Sequence, residues 1–155
     1  MARVSTYLNF PRNTEEAFAF YKSVFKTEYV CPIARFSDVP ASPDCPPPAE
    51  EDKNLVMHIA LPTLGDHVLM GTDAPESMGF QCKGGNNVYI NLEPDSREEA
   101  ERLFAELSEG GKVEMPLQDM FWGAYFASFA DKFGIHWMIN CAATKEDVST
   151  ATPYP

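Results

Sequence analysis

The stretch MPLQDMFWGAYFASFADKFGIHWMINC, residues 115–141, decides the fold. Ile135, Trp137 and Ile139 alternate with His136, Met138 and Asn140. A period of two puts each set on its own face of a sheet. Upstream, Tyr125-Phe126-Ala127-Ser128-Phe129-Ala130 has the aromatic and small residues of a second strand. Between the two, Asp131-Lys132-Phe133-Gly134 has the composition of a hairpin connection, with glycine at the position that needs positive φ. The segment predicts two strands joined by a tight turn, with Asp131 forming the turn and Trp137 in the core. Gln118-Asp119-Met120-Phe121-Trp122-Gly123, just before them, fits no regular element. Aromatics and a carboxylate on a connection suit a binding rim, which makes Asp119 and Trp122 candidate ligand contacts. The alternative is that Phe121 and Trp122 seal one end of the core.

Further out, the same grammar recurs. Residues 4–10 read as a strand that Pro11 ends, because proline has no amide for the ladder. Asn13 followed by Glu16 predicts a capping box, and Ala17, Phe18, Tyr21, Val24 and Phe25 form the apolar stripe of a helix ending near Lys26 or Thr27. Residues 28–36 predict a strand broken by Pro32. Residues 37–53 hold five prolines and several acids without periodicity, and read as a flexible Pro-rich loop or lid. Residues 54–61 and 67–72 predict a hairpin turning at Thr63-Leu64-Gly65-Asp66. Tyr89-Ile90-Asn91-Leu92, Pro94 and Glu98-Glu99-Ala100 then echo Tyr7-Leu8-Asn9-Phe10, Pro11 and Glu15-Glu16-Ala17. In this second copy Ser96 and Glu99 form the capping box, Ala100, Leu103, Phe104 and Leu107 the stripe, and Gly110-Gly111 the stop. A strand–helix unit followed by several strands therefore occurs twice. The expectation is an α+β chain, one domain over residues 1–155, built from two βαβββ modules at about 3–75 and 86–141. A polar C-terminal tail follows at 142–155.

Composition excludes several function classes. The formal net charge is −11, with only 12 Lys and Arg in 155 residues, which argues against nucleic acid and anionic membranes. No apolar run approaches the roughly 20 residues of a membrane span. Residues 1–4 lead into a strand-like stretch with no secretory leader, so a cytoplasmic location is expected. Cys31, Cys45, Cys82 and Cys141 are too widely spaced for a zinc knuckle or a dense disulfide framework and read as reduced thiols, Cys45 the most exposed. A catalytic thiol among them stays open.

The duplicated module resembles the vicinal oxygen chelate superfamily of glyoxalase I, bleomycin-resistance proteins and extradiol dioxygenases, and within it the PhnB-like branch. The match is carried by Tyr7-Leu8-Asn9-Phe10, Phe20-Tyr21, Val24-Phe25, Met57-His58, Leu69-Met70, Phe121-Trp122-Gly123, Asp131-Lys132-Phe133-Gly134 and Trp137-Met138-Ile139-Asn140. The resemblance implies a curved eight-stranded cup with both helices outside, a ligand site in its concave face, and a homodimer. Proteins of this branch have also carried a ubiquinone-methyltransferase description. No glycine-rich strand-to-helix turn suited to S-adenosylmethionine is present, so that description is not adopted.

Enzymes of the superfamily hold a divalent metal with His and Glu on the first and last strand of each module, where it acts as a Lewis acid. The resemblance puts those positions at Ser5 or Thr6, Leu69 or Met70, Asn87 or Val88, and Met138. None is a His or a carboxylate, so the usual ligands are absent and no metal or other cofactor is predicted. Strand alternation would instead line the cup with Tyr7 and Asn9, Tyr89 and Asn91, His58, and His136, Met138 and Asn140, a set suited to a polar or aromatic small molecule. His58 is the candidate general acid or base, set against the reading of a lone histidine as a structural group. Three functions follow: a metal-independent cup that binds a small molecule; a lyase, isomerase or dioxygenase with an atypical metal set of His58, His136 and Asp119, which would have to converge within roughly 2.0–2.2 Å of one ion; or a resistance protein that sequesters a drug.

Overall fold

In the computed structural model, residues 1–142 are described, and the tail expected beyond Ala142 lies outside them. The chain divides into two compact units, Met1–Lys83 and Gly84–Pro155. The first contains β1 (Thr6–Phe10), α1 (Thr14–Phe25), β2 (Ala34–Arg35), β3 (Val56–Pro62) and β4 (Val68–Asp73); the second contains β5 (Ile90–Leu92), α2 (Arg97–Ser108), β6 (Lys112–Asp119), β7 (Ala124–Ala130) and β8 (His136–Ala142). Each is a βαβββ module with a four-stranded mixed sheet, ordered β1-β4-β3-β2 and β5-β8-β7-β6, in which the first and last strands run parallel. The duplication expected from the sequence is present in both element order and sheet order.

In the first unit, alternation along β1 buries Leu8 and Phe10 and leaves Tyr7 and Asn9 exposed. The α1 stripe of Ala17, Phe18, Tyr21, Val24 and Phe25 is buried, with Phe18 edge-on to both Phe10 and Tyr21. Gly71 of β4 makes room for this packing: a Cβ there would stand 2.6 Å from a Phe18 ring carbon. The helix stops as expected, with Lys26 in the left-handed region at φ 56 and its N–H bonded to the Lys22 carbonyl.

The start of α1 differs from the expected capping box. The Asn13 side chain makes no cap bond, and its Oδ1 is buried without a partner. The cap comes from the far end of β4. Asp73 Oδ1 accepts from Thr14 N at 3.1 Å and Thr14 Oγ1 at 2.8 Å, while Oδ2 accepts from Val56 N at 2.8 Å. A buried carboxylate at a helix N-terminus satisfies orphan amides and faces the positive end of the dipole. One side chain thereby ties α1, β3 and β4 together.

The strand expected over 28–36 is reduced to Ala34–Arg35, followed by a 3-10 turn at Phe36–Asp38. Pro32 removes an amide from that run, and Asp38 Oδ2 accepts from Arg35 N, closing the chain into a turn. In the Pro-rich loop, Ser42 and Cys45 pair across a tight turn. Its end is anchored by Asp52, which is buried and receives the Arg12 guanidinium at 2.7 Å and the Ser77 hydroxyl.

In the second unit, Ser96 Oγ caps α2 by accepting from Glu99 N at 3.1 Å, while the Glu99 carboxylate takes Arg102. Ala100, Leu103 and Leu107 are buried, and Phe104 stands edge-on to Phe129 at 5.6 Å. Gly111 follows where a Cβ would lie 2.1 Å from the Ala130 carbonyl oxygen, so the chain turns there only with glycine. The hairpin over Asp131 and Gly134 forms as expected, with Gly134 at φ 87. Asp131, nearly fully buried, accepts from Phe133 N, Ile135 N and the indole N–H of fully buried Trp137. The turn residue is also a core anchor. Gln118 and Asp119, expected on a connection, belong instead to β6, and only residues 120–123 form the turn into β7. Among the described residues, no helix is long and apolar enough to cross a membrane.

Candidate functional site

Strand parity sorts the second sheet into two faces. Trp137, Ile139 and Cys141 of β8 are buried, and their partners Phe129, Ala127 and Tyr125 on β7 share their face. Phe129 meets Phe104 of α2, and the Tyr125 hydroxyl donates to Glu101 of α2, so this is the helix side. His136, Met138 and Asn140 therefore face away from α2, beside Ala130, Ser128 and Phe126 of β7. Asn91 of β5 pairs with Met138 and shares that face.

Three side chains converge at the His136 end of this helix-free face. Tyr89, just before β5, stands edge-on to His136 with ring centroids 5.1 Å apart. Its hydroxyl donates to Glu114 Oε2 at 2.7 Å. Glu114 Oε1 lies 3.4 Å from His136 Nε2, with the imidazole 18% and the carboxylate 34% exposed. The hydrogen bond to Glu114 raises the Tyr89 phenol above its ordinary value and keeps it a donor.

Glu114 reaches the cluster because of a local irregularity. The β6–β7 register shifts between Val113 and Met115, leaving Glu114 as the extra residue of a bulge. A bulge re-aims a side chain relative to the regular alternation. Beneath it, β7 presents only the small residues Ser128 and Ala130, so a glutamate from β6 can cross a strand toward β8. Tyr89 and His136 are legible from strand alternation, and Glu114 is not. The break in alternation around Pro116 was the one available signal, and it does not say which residue is extra.

Asp119 and Trp122 are placed differently from each other. Asp119 pairs with Tyr125 on the helix side, where its carboxylate accepts both Arg97 guanidinium nitrogens at 2.7 and 2.9 Å. Arg97 also covers the Tyr125 ring at 3.9 Å. The Arg97 hydrogen bond holds the Asp119 carboxyl below the usual carboxylate range. Asp119 and His136 thus lie on opposite faces of one sheet and do not converge on one ion. Trp122 is half-exposed and stands 6.0 Å from Phe126, whose side chain is on the helix-free face. Phe121, beside it, is 97% exposed and seals no core.

In the first unit, Tyr7, Asn9, His58, Met70 and Thr72 share the face away from α1 by the β1–β4–β3 register. Tyr7 and His58 approach each other across β4, with ring centroids 6.0 Å apart. The amides of Asn9 and Asn91 make no side-chain hydrogen bond among the described residues, which leaves both available on their faces. His67 lies elsewhere, its Nε2 2.8 Å from Thr6 Oγ1.

The register also re-indexes the positions that the resemblance gave for a metal. Tyr7 pairs with Met70 and Asn9 with Thr72, while Asn91 pairs with Met138. The counterpart of Met70 in the second module is therefore His136, and that of Thr72 is Met138. One histidine thus falls in the row, with Tyr7, Met70 and Tyr89 as its counterparts. Among the described residues no three His, Cys, Asp or Glu side chains group as metal ligands, so the donor set does not fit the usual His and Glu quartet.

A family model described as 3-demethylubiquinone-9 3-methyltransferase matches residues 2–140. Protein YjdN of Escherichia coli is 32% identical over 142 residues, spanning 88% of this chain and 93% of its own. The crystal structure of protein PA1353 from Pseudomonas aeruginosa is similar at 36% identity and a TM-score of 0.79, covering 92% of this chain and 99% of that one. The PhnB protein from Bacillus cereus shares the fold at 24% identity and a TM-score of 0.69, covering 91% and 100%. At 20% identity and below, solved glyoxalase/bleomycin resistance/dioxygenase proteins share the fold alone. The residues present do not fit the methyl donor that the family description implies. The strand-to-helix turns at 11–13 and 93–96 contain no glycine, and the helix starts behind them are filled by Asp73 and Ser96.

Proposed function

The chain belongs to the family described as 3-demethylubiquinone-9 3-methyltransferase, and within it we propose that this protein binds a small molecule on the helix-free faces of its sheets, without the divalent metal of the glyoxalase superfamily. The observation that carries this reading is the Tyr89–Glu114–His136 cluster. It gathers a phenol, a carboxylate and an imidazole on a face that α2 leaves uncovered. The fold needs none of them for packing, since the core under α2 is closed by Trp137, Phe129 and Ile139. Groups of this kind around an apolar floor of Met138 and Phe126 suit an aromatic or polar organic ligand.

The same reading extends to the first unit, where Tyr7, Asn9 and His58 present a related set. It takes the protein as cytoplasmic and homodimeric. Support for the first is that Cys31, Cys45, Cys82 and Cys141 are all free thiols; support for the second is the superfamily resemblance. Screening aromatic and polar fragments by ligand-observed NMR, with resonances of Trp122, His136 and His58 followed in the labelled protein, tests the proposal. Hits that shift His136 or His58 support it. Hits that cluster only on the outer surfaces of α1 and α2 would remove it.

A further inference from the structure

We propose that His136 is a general base, positioned by Glu114, and that it promotes a 1,3-proton shift in a neutral ketone carrying an apolar or aromatic end. This rests on the reading of the helix-free face as a ligand site. The Glu114 carboxylate lies 3.4 Å from Nε2, and a proton carried on that nitrogen leaves Nδ1 with the lone pair. Nδ1 makes no hydrogen bond among the described residues and is not among the buried unpaired atoms, so it is left accessible. Tyr89 holds Glu114 from the other oxygen and walls the imidazole edge-on. A carboxylate behind an imidazole stabilises the imidazolium that forms when the base takes a proton. The 3.4 Å contact tightens when that charge appears.

The chemistry closes without a further reactant. Nδ1 takes a proton from a carbon next to the carbonyl, and the C–H electron pair becomes part of the enolate. Glu114 balances the charge on the ring. The proton returns to oxygen or carbon, giving the enol or the re-formed ketone, and no electrons are gained or lost.

The rest of the face specifies the substrate. Along β8 the polar pole at His136 is separated from Asn140 by about 13 Å of strand. Next to Asn140, Phe126 and Trp122 form an aromatic pole. Met138 and Ser128 lie between and carry no charge. Glu114 disfavours an anionic head beside His136. A neutral aryl-alkyl ketone spans these features, its carbonyl end toward His136 and its ring toward Phe126.

The test uses the full chain and 4-phenylbutan-2-one in deuterated buffer. Proton NMR follows exchange at the carbons next to the carbonyl, and saturation-transfer NMR on the same samples reports binding. The expectation is exchange faster than in buffer alone, abolished in His136→Gln with binding retained. Glu114→Gln should cut the turnover rate at least tenfold while leaving the half-saturating ketone concentration within about twofold, the split expected of a positioning residue. Tyr89→Phe should fall between. Binding without accelerated exchange overturns the general base and leaves the ligand face standing. Exchange that survives His136→Gln overturns the assignment to this residue. No binding overturns the ketone class, and if the fragment screen also finds nothing on either face, the ligand reading falls with it.

Discussion

Replacing Asn13 and Asp73 separately tests how the first module starts its helix. By sequence, Asn13 is the cap, and truncating a capping Asn to Ala costs about 1 kcal/mol. In the structure it makes no cap bond and buries an unpartnered oxygen, so Asn13→Ala should leave stability within about 0.5 kcal/mol of the parent. Asp73 carries the load instead, with donors at 2.8, 2.8 and 3.1 Å from two elements. Removing its carboxylate strands those donors in a buried place. Bonds to a charged acceptor are worth about 1.5–3 kcal/mol each and are not additive, so Asp73→Ala should cost about 3–5 kcal/mol. Asp73→Asn keeps the shape but turns an amide NH₂ toward a donor, which should cost about 2 kcal/mol. Urea unfolding followed by circular dichroism and tryptophan fluorescence measures all three. A loss near 1 kcal/mol for Asn13→Ala together with a similar loss for Asp73→Ala would refute the cross-strand cap.

Other expectations follow from single contacts. Gly71→Ala places a methyl 2.6 Å from the Phe18 ring and should cost about 1–3 kcal/mol by overpacking, read from the urea midpoint. Asp131→Ala strands two turn amides and the Trp137 indole and should cost about 3 kcal/mol, with a shift in Trp fluorescence as the indole N–H loses its acceptor. The Ser77 hydroxyl and then Arg12 hold the Asp52 carboxyl below its ordinary value. Its contribution is therefore fully present above the unfolded value of about 3.9 and is lost as pH falls through the lower folded value. Asp52→Asn should narrow the stability gap between neutral and strongly acidic pH, measured by urea unfolding at both; an unchanged gap would remove Asp52 from the acid response.

Much of the fold was legible because alternation and stripes survive packing. The β7–β8 hairpin, its glycine turn, the Trp137 core position and the repeated strand–helix unit all came from local periodicity that tertiary contacts reinforce. The failures share a cause. The cap from Asp73 depends on a residue 59 positions away, which no local pattern contains. Residues 28–36 have strand composition, but Pro32 and the Asp38 turn leave only two of them in the ladder. Asp119 looked like a rim residue until its register with Tyr125 put it beside Arg97. Glu114 was invisible because a bulge breaks the alternation that assigns faces. Tyr89 and His136 were both named from alternation, yet only the β5–β8 pairing brings their rings together.

The central claim, a ligand face that works without the superfamily's metal, is tested most directly by elemental mass spectrometry of the untagged chain purified without chelator. The account predicts no zinc, nickel, iron or manganese in stoichiometric amount, with the fold intact and fragment binding at His136 retained. One such ion per chain, lost on His136→Ala or His58→Ala, would contradict it.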